Sequence, residues 1–377
     1  MEPKAGRLPT IHITGDSIPQ AYYRAIKALW KNGATMRTQY DRKNETGEYI
    51  DPPSRDARVL IEITDPFAQP RFPPISFCEI GTYIAEIMGV KDNRVLPIAQ
   101  LLPARDGEDL PSTAWPYSYH QRLTAHPELA QALVNELIQG ICNIGDHSWD
   151  GESKESNAVF RALLNWAIAA ERKNAHYCGD VDQIAMAIDC VSKTPYTRRA
   201  MCTTAVPNID PFLKEDVPCL RELQLRCVED EDGTLILNPS TTWRSRDLFK
   251  AWGDNVIGLT FLFNRIADTI SERTNREVRV GSYADYSMSL HIYGQDFEKV
   301  QGDEGKGLAG FFATFPTEED FIGRSLDSES AADMLVLPQL KKLRDDPNEI
   351  AQWQFGSDEL QLINDIILGI EAGTFVC

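Results

Sequence analysis

The stretch "DNVIGLTFLFNRIADTISE", residues 254 to 272, is apolar around most of a helical circumference. Such a helix is stable only when covered on nearly every side, so it belongs inside a layered fold rather than on a surface. The chain can supply that cover, because 377 residues with 42% hydrophobic content suffice for one large core or two modest ones. Strand signals surround the helix. "RVLIEIT" from Arg58 and "RRAMCTTAV" from Arg198 each read as a strand. In "VPCLRELQLRCVEDEDGTLILN", residues Leu223, Leu225 and Cys227 alternate with polar neighbours. An acidic turn and a second apolar run, Leu235 to Leu237, complete what reads as a β-hairpin.

The remaining helices carry clear boundaries. Ser17 is placed to cap a helix with Pro19 in its first turn and Gly33 as its stop. "FCEIGTYIAEIMG" follows the break "FPPI", and "PELAQALVNELIQGIC", "SNAVFRALLNWAIAAERKN" and "DVDQIAMAIDCVSK" show apolar residues at i, i+3 and i+4. Two acidic helices around Met334 and Leu360 follow near the end of the chain. Residues 36–55 are polar and turn-rich, and residues 101–116 form a proline-punctuated loop. With no repeat, low-complexity tract or Gly/Ser-rich linker, the reading is one α+β domain over residues 1–377.

A net charge of -18 and a pI near 4.8 argue against broad binding to nucleic acid or anionic membranes. No apolar run approaches a membrane span, and the N-terminal "MEPKAGRLPT" has no hydrophobic signal core. Eight cysteines without C-x-x-C spacing fit a reducing cytoplasm better than a disulfide framework or a metal site. His176 and Cys178 in "HYCGD" supply two ligands, too few for zinc.

Cys219, behind Pro218 at the entrance to a strand, would alone read as a small core residue. Its companions change that reading. "TPYTRRAMCTTAVPNID" precedes it with the pair Arg198 and Arg199; "TTWRSRDLFKAWGDNVIG" and "YSMSLHIYG" follow. Proline–cysteine, Arg-Arg, Arg-Ser-x-Asp, Asn-x-x-Gly and His-x-Tyr, at this spacing, resemble the thymidylate synthases and their sister pyrimidine hydroxymethylases. The resemblance is strong over 182–297 and traceable over 55–123, whereas 328–377 is a helical C-terminal extension atypical of the family.

The resemblance implies a thymidylate-synthase-like fold, a mixed β-sheet covered by helices, and a homodimer joined sheet to sheet with shared active sites. It implies dUMP and the cosubstrate 5,10-methylenetetrahydrofolate as the molecules bound, with no metal. Cys219 resembles the nucleophile that adds to C6 of uracil, a role needing a thiolate favoured by nearby arginines. Arg244, Ser245, Arg198, Arg199 and Arg55 resemble the 5′-phosphate anchors, the Arg-Arg pair reaching across from the partner subunit. Asn255 resembles the reader of the pyrimidine edge, its amide free to rotate to suit uracil. Relatives specific for cytosine carry aspartate there. His291 and Tyr293 resemble the pair that binds the deoxyribose 3′-hydroxyl. Gln224 supports the nucleotide site, and Asp247 and Trp115 lie on the folate side. Glu86, chosen over Glu79, resembles the general acid–base glutamate, and Tyr119, with Tyr117 as fallback, its tyrosine partner.

Departures from the family bear on the product. Leu220 stands where a histidine commonly follows the cysteine, Ala205-Val206 replace Trp-Asn, and Ser289-Leu290 replace Gly-Asp. Asp216, three residues before Cys219, occupies a position that is apolar in synthases. A carboxylate there would hold water against the exocyclic methylene, giving 5-hydroxymethyl-dUMP, with reductive methylation to dTMP as the alternative. A non-catalytic nucleotide-binding regulator or scaffold is the reading from another class, but a scaffold needs no nucleophile.

Overall fold

The structure is a computed structural model that describes residues 6–75, 77, 79–96, 115–125, 181–207, 209–213, 217–297 and 307–375. The chain falls into two compact units. One comprises residues 1–94, 186–203 and 219–377, and the other residues 95–185 and 204–218.

The larger unit is built on an eight-stranded mixed sheet of order β1-β3-β11-β8-β5-β4. These strands are β1 (Thr10–Gly15), β3 (Ser54–Ile63), β11 (Tyr283–Ile292), β8 (Ser240–Trp243), β5 (Leu220–Gln224) and β4 (Met201–Thr203). The short β2 (Ala34–Met36) pairs with β3, and β9 (Arg246–Asp247) with β11. β1 runs parallel to β3 and β8 parallel to β11, while β3–β11 and β5–β8 are antiparallel. The period-2 rule is visible across the strands. Ile61, Asp285, Thr241, Leu223 and Cys202 lie side by side in register and are all buried. In the adjacent row, Leu60, Tyr286, Thr242, Glu222 and Thr203 are exposed or half-buried.

Helix α1 (Ile18–Asn32) packs on β1 and β3. Its start follows the sequence reading: Ser17 Oγ accepts from Gln20 N, and Gly33 N–H donates to Leu29 O. Beyond it come α2 (Ile80–Ile87), α3 (Tyr119–Thr124), α4 (Gln183–Lys193) and α5 (Trp252–Thr274). α5 is the long apolar helix, buried throughout residues 252–263, packed against α2, and ended by Asn275 in the left-handed region. The helices "PELAQALVNELIQGIC" and "SNAVFRALLNWAIAAERKN" lie outside the described residues.

The hairpin is built differently from the sequence reading. Its strands are β6 (Cys227–Glu229) and β7 (Leu235–Leu237), joined with β10 (Val278–Val280) in a separate three-stranded sheet. Leu223 belongs to β5 in the main sheet instead. The chain changes sheets between Gln224 and Cys227, where Leu225 N donates to Ala200 O and Cys227 N to Pro195 O.

The C-terminal segment contains α6 (Leu308–Thr314), α7 (Glu318–Ile322), α8 (Ser328–Ala331), α9 (Leu337–Asp345), α10 (Pro347–Trp353) and α11 (Ser357–Glu371). A π-helical turn, Ala332–Val336, joins α8 to α9. The extension packs on α2. Gly81 N donates to Gln339 Oε1 at 2.6 Å, and a Cβ on Gly81 would lie 2.6 Å from Val336 O. Asn93 Nδ2 donates to the carbonyls of Trp353 and Gln354.

Candidate active site

Two breaks in sheet register shape the site. β5 slips against β8 between Leu220 and Glu222, immediately after Cys219, and β11 slips against β3 between Ser287 and Leu290, immediately before His291. A bulge re-aims the side chains that follow it, as sites at sheet edges require. Cys219 is a half-buried, reduced cysteine whose carbonyl accepts from Arg244 N at 2.9 Å. Arg244 is exposed, because the chain breaks between β8 and β9 at Arg244 and Ser245.

Tyr293 gathers the group electrostatically. Burial, with Asp247, Tyr40 and Cys219 nearby, pushes its hydroxyl up to about 12, and Arg244 opposes the rise. It therefore stays protonated and can donate. Its ring meets His291 at 4.5 Å and Tyr40, on the loop before β3, at 6.0 Å. His291 pairs across the sheet with Asp56 and with Asp247. Burial lowers the imidazole's pKa despite Asp56, and its buried Nε2 has no hydrogen-bond partner. Asp247 Oδ1 accepts from Phe249 N and Lys250 N, yet burial pushes its carboxyl up to about 6.

Asn255, in the first turn of α5, is held at both ends of its amide. Arg246 Nε donates to Oδ1 at 3.1 Å, and Nδ2 donates to Tyr83 Oη at 2.6 Å. The free rotation expected from sequence is absent, because a guanidinium only donates and so dictates which end faces it. Arg246 pairs with buried Asp285 and lies 3.8 Å over the Trp243 ring. One turn beyond Tyr83 on α2, Glu86 forms a 3.7 Å ion pair with Lys91. Burial raises its carboxyl pKa and Lys91 restrains the rise. The ammonium of Lys91 lies 3.9 Å over Trp353 of α10, so the C-terminal extension reaches the Glu86 pair.

The other sequence candidates have contacts of their own. Arg55 donates to Gly33 O and Thr35 Oγ1 and lies over Trp30; none of these contacts is with Arg244 or Tyr293. It lines a groove of about 1040 Å³ with Lys27, Lys31 and Arg24 that does not include Cys219. Arg198 and Arg199 are exposed just before β4, and Gln224 Nε2 donates to Arg198 O. Trp115 and Tyr119 belong to the smaller unit. There Trp115 bridges Val95, and Ser118 caps the helix that Tyr119 begins. Tyr117 and Tyr119 are ring neighbours at 5.9 Å, and buried Arg122 pairs with Asp210. Asp216, His176 and Cys178 lie outside the described residues.

Arg246, Asp285, Tyr83 and Lys91 were missed by sequence reasoning. One signal existed: Asp285 shares the core phase of β11 with Tyr283 and Ser287, and a carboxylate there requires a buried partner.

No family model matches the chain. Several curated relatives do, each bearing the name "Putative thymidylate synthase". The Methanococcoides burtonii protein is 34% identical over 164 residues, covering 41% of this chain and 68% of the relative. The Methanosarcina mazei protein is 32% identical over 225 residues, covering 59% and 80%. Against the Methanothermobacter marburgensis protein, 32% identical over 130 residues and 34% of this chain, the match spans about half the relative's length, 52%. The chain belongs to the thymidylate synthase family. Among solved structures, thermostable thymidylate synthase A from Bacillus subtilis is similar over 74% of this chain and 81% of that one. The TM-score is 0.41 at 15% identity, a distance that carries no residue across. Among the described residues no helix is long and apolar enough to cross a membrane.

Proposed function

We propose that this protein transfers a one-carbon unit from 5,10-methylenetetrahydrofolate to C5 of dUMP. The observation that carries this reading is the gathering of Cys219, Arg244, Asp247, His291 and Tyr293 at the two register breaks of one sheet. The Cys219 thiolate adds to C6, leaving C5 as the carbon nucleophile. Arg244 and Ser245 hold the phosphate, joined by Arg198 and Arg199 from a second subunit. Arg55, held elsewhere, is a weaker candidate for that task. Gln224 supports the nucleotide site through its bond to the Arg198 carbonyl. Asn255 meets the base edge, and His291 and Tyr293 meet the deoxyribose.

Glu86 holds and returns protons at the base, and its raised pKa suits that exchange. Asp247 suits a folate: among the described residues its Oδ2 accepts no hydrogen bond while Oδ1 is committed to the backbone, leaving an acceptor for ring N–H groups. Folate supplies the one-carbon unit; this chain supplies nucleophile, orientation and proton handling.

The product reading is 5-hydroxymethyl-dUMP, from Asp216, three residues before Cys219 in the sequence. The names of the relatives favour dTMP as the second reading. Mass spectrometry of the nucleotide made from dUMP and methylenetetrahydrofolate separates them, since dTMP comes with equimolar dihydrofolate and the hydroxymethyl product with none. Cys219→Ser is expected to abolish turnover while dUMP still binds; normal turnover by it removes Cys219 from the mechanism.

A homodimer joined through the sheet is part of the same reading. The uncovered face exposes Leu60, Met201 and Met288, an apolar surface a second sheet would bury. Sedimentation showing a fully active monomer would exclude the shared site.

A further inference from the structure

The amide of Asn255 is the place where this protein can tell uracil from cytosine, and its orientation is set from behind. Uracil presents N3–H and the O4 acceptor; cytosine presents an N3 acceptor and an N4 amino donor. An asparagine complements either base by turning its amide over, so an unconstrained asparagine discriminates poorly. Here Oδ1 receives the Nε–H of Arg246, 3% exposed, and Nδ2 gives a proton to Tyr83 Oη. Each end keeps one site unused: a second lone pair on Oδ1 and a second hydrogen on Nδ2. That remaining acceptor–donor pair complements uracil. Turning the amide over would set the Nδ2 hydrogens against the Arg246 Nε–H, two donors face to face in a buried place. Tyr83 would accommodate the turned amide, since a hydroxyl donates as readily as it accepts, so the discrimination resides in Arg246.

The support behind Arg246 is rigid. Its Nη1 pairs with Asp285, 1% exposed, and its plane lies 3.8 Å over Trp243, which is fully buried. Tyr83 is set against α5 by Gly258, where a Cβ would come within 2.8 Å of the ring.

We propose that Arg246 is a positioning residue that locks the Asn255 amide in the orientation complementary to uracil and thereby sets base choice. The proposal rests on the reading of Asn255 as the residue that meets the base.

The test replaces the ion pair by apolar groups of similar size, Arg246→Met with Asp285→Leu, a change buried pairs often tolerate. Binding of dUMP and dCMP is measured by calorimetry for both proteins, with thermal melts to establish folding. The unmodified protein is expected to prefer dUMP, and the double variant to lose about ten- to hundredfold of that preference, the worth of one buried unsatisfied donor. A merely structural role would weaken both nucleotides equally; an unchanged ratio in the folded variant overturns the proposal and leaves the role of Asn255 standing. If the unmodified protein binds neither nucleotide, the functional reading falls and this proposal with it. A structure of the unmodified protein with dUMP tests the lock without any variant. Asn255 should contact both N3 and O4 while Arg246 Nε still donates to Oδ1, and a base that reaches neither end of the amide refutes the lock.

Discussion

Replacing Asp247 with asparagine should make this protein more stable at neutral pH, by an amount that depends on pH. Asp247 lies at the end of β9, and two backbone N–H bonds at Oδ1 favour its charge. Burial outweighs them, Asp296 adds repulsion, and the carboxyl is pushed up from 3.8 to about 6. The sign follows from proton counting. Below pH 3.8 the group is protonated whether the chain is folded or not, and nothing is gained or lost. Between 3.8 and about 6 the folded protein keeps a proton that the unfolded chain releases, so stability falls as pH rises. Above that window the penalty is complete, roughly 3 kcal/mol at 1.36 kcal/mol per unit, of which about half develops between pH 5 and 7.5. Asparagine keeps the Oδ1 acceptor and carries no charge, so the turn survives. Urea unfolding of both proteins at pH 5, 6 and 7.5 should show Asp247→Asn gaining about 1.5 kcal/mol more at the highest pH than at the lowest. A gain independent of pH, or a loss at pH 7.5, refutes the reasoning. Turnover should fall as stability rises, the usual exchange at a site that stores an unfavourable charge.

Two further outcomes follow from named contacts. Gly294→Ala would place a Cβ 1.7 Å from Pro52 O, forcing the Tyr293–Gly294 turn off the loop before β3. The expected cost is about 2–3 kcal/mol in denaturant unfolding, with weaker dUMP binding; a variant with the parent's midpoint would show that the turn yields freely. Lys91→Met removes the charge that restrains the Glu86 carboxyl, so the acid limb of the kcat/KM profile should move to higher pH. A limb that stays in place detaches Glu86, or its ion pair, from the rate.

Local features were legible in the sequence where one segment decides them. Ser17, Pro19 and Gly33 bound α1 because a cap and a first-turn proline act within a few residues of themselves. The apolar run after Trp252 became the buried α5 because no other place can hold it. What failed depends on a second segment. The alternation Leu223, Leu225, Cys227 is real as burial, but the strand it implied is cut where Ala200 and Pro195 take its backbone bonds. The contacts of Arg55 with Trp30, the Gly33 carbonyl and the Thr35 hydroxyl, made by segments upstream of β3, were likewise not legible. Asn255 was singled out, but the direction of its amide belongs to Arg246, nine residues earlier in chain and adjacent only after folding. Asp285 was overlooked, and even its burial would not have said which cation pairs with it.

The packing of the C-terminal extension on α2 orders events during synthesis. Tyr83 and Glu86 are made early, but Gln339, which bonds Gly81, and Trp353, which covers Lys91, emerge some 250 residues later. At 5–20 residues per second that is a wait of roughly 12–50 s on the ribosome. Through that interval α5, which meets Tyr83 and Ile87, is already made, but the contacts of Gly81 and Lys91 are still missing. A ribosome-bound chain stalled before residue 337 therefore carries Cys219, Arg244 and Asn255 while α2 still lacks its contacts at Gly81 and Lys91.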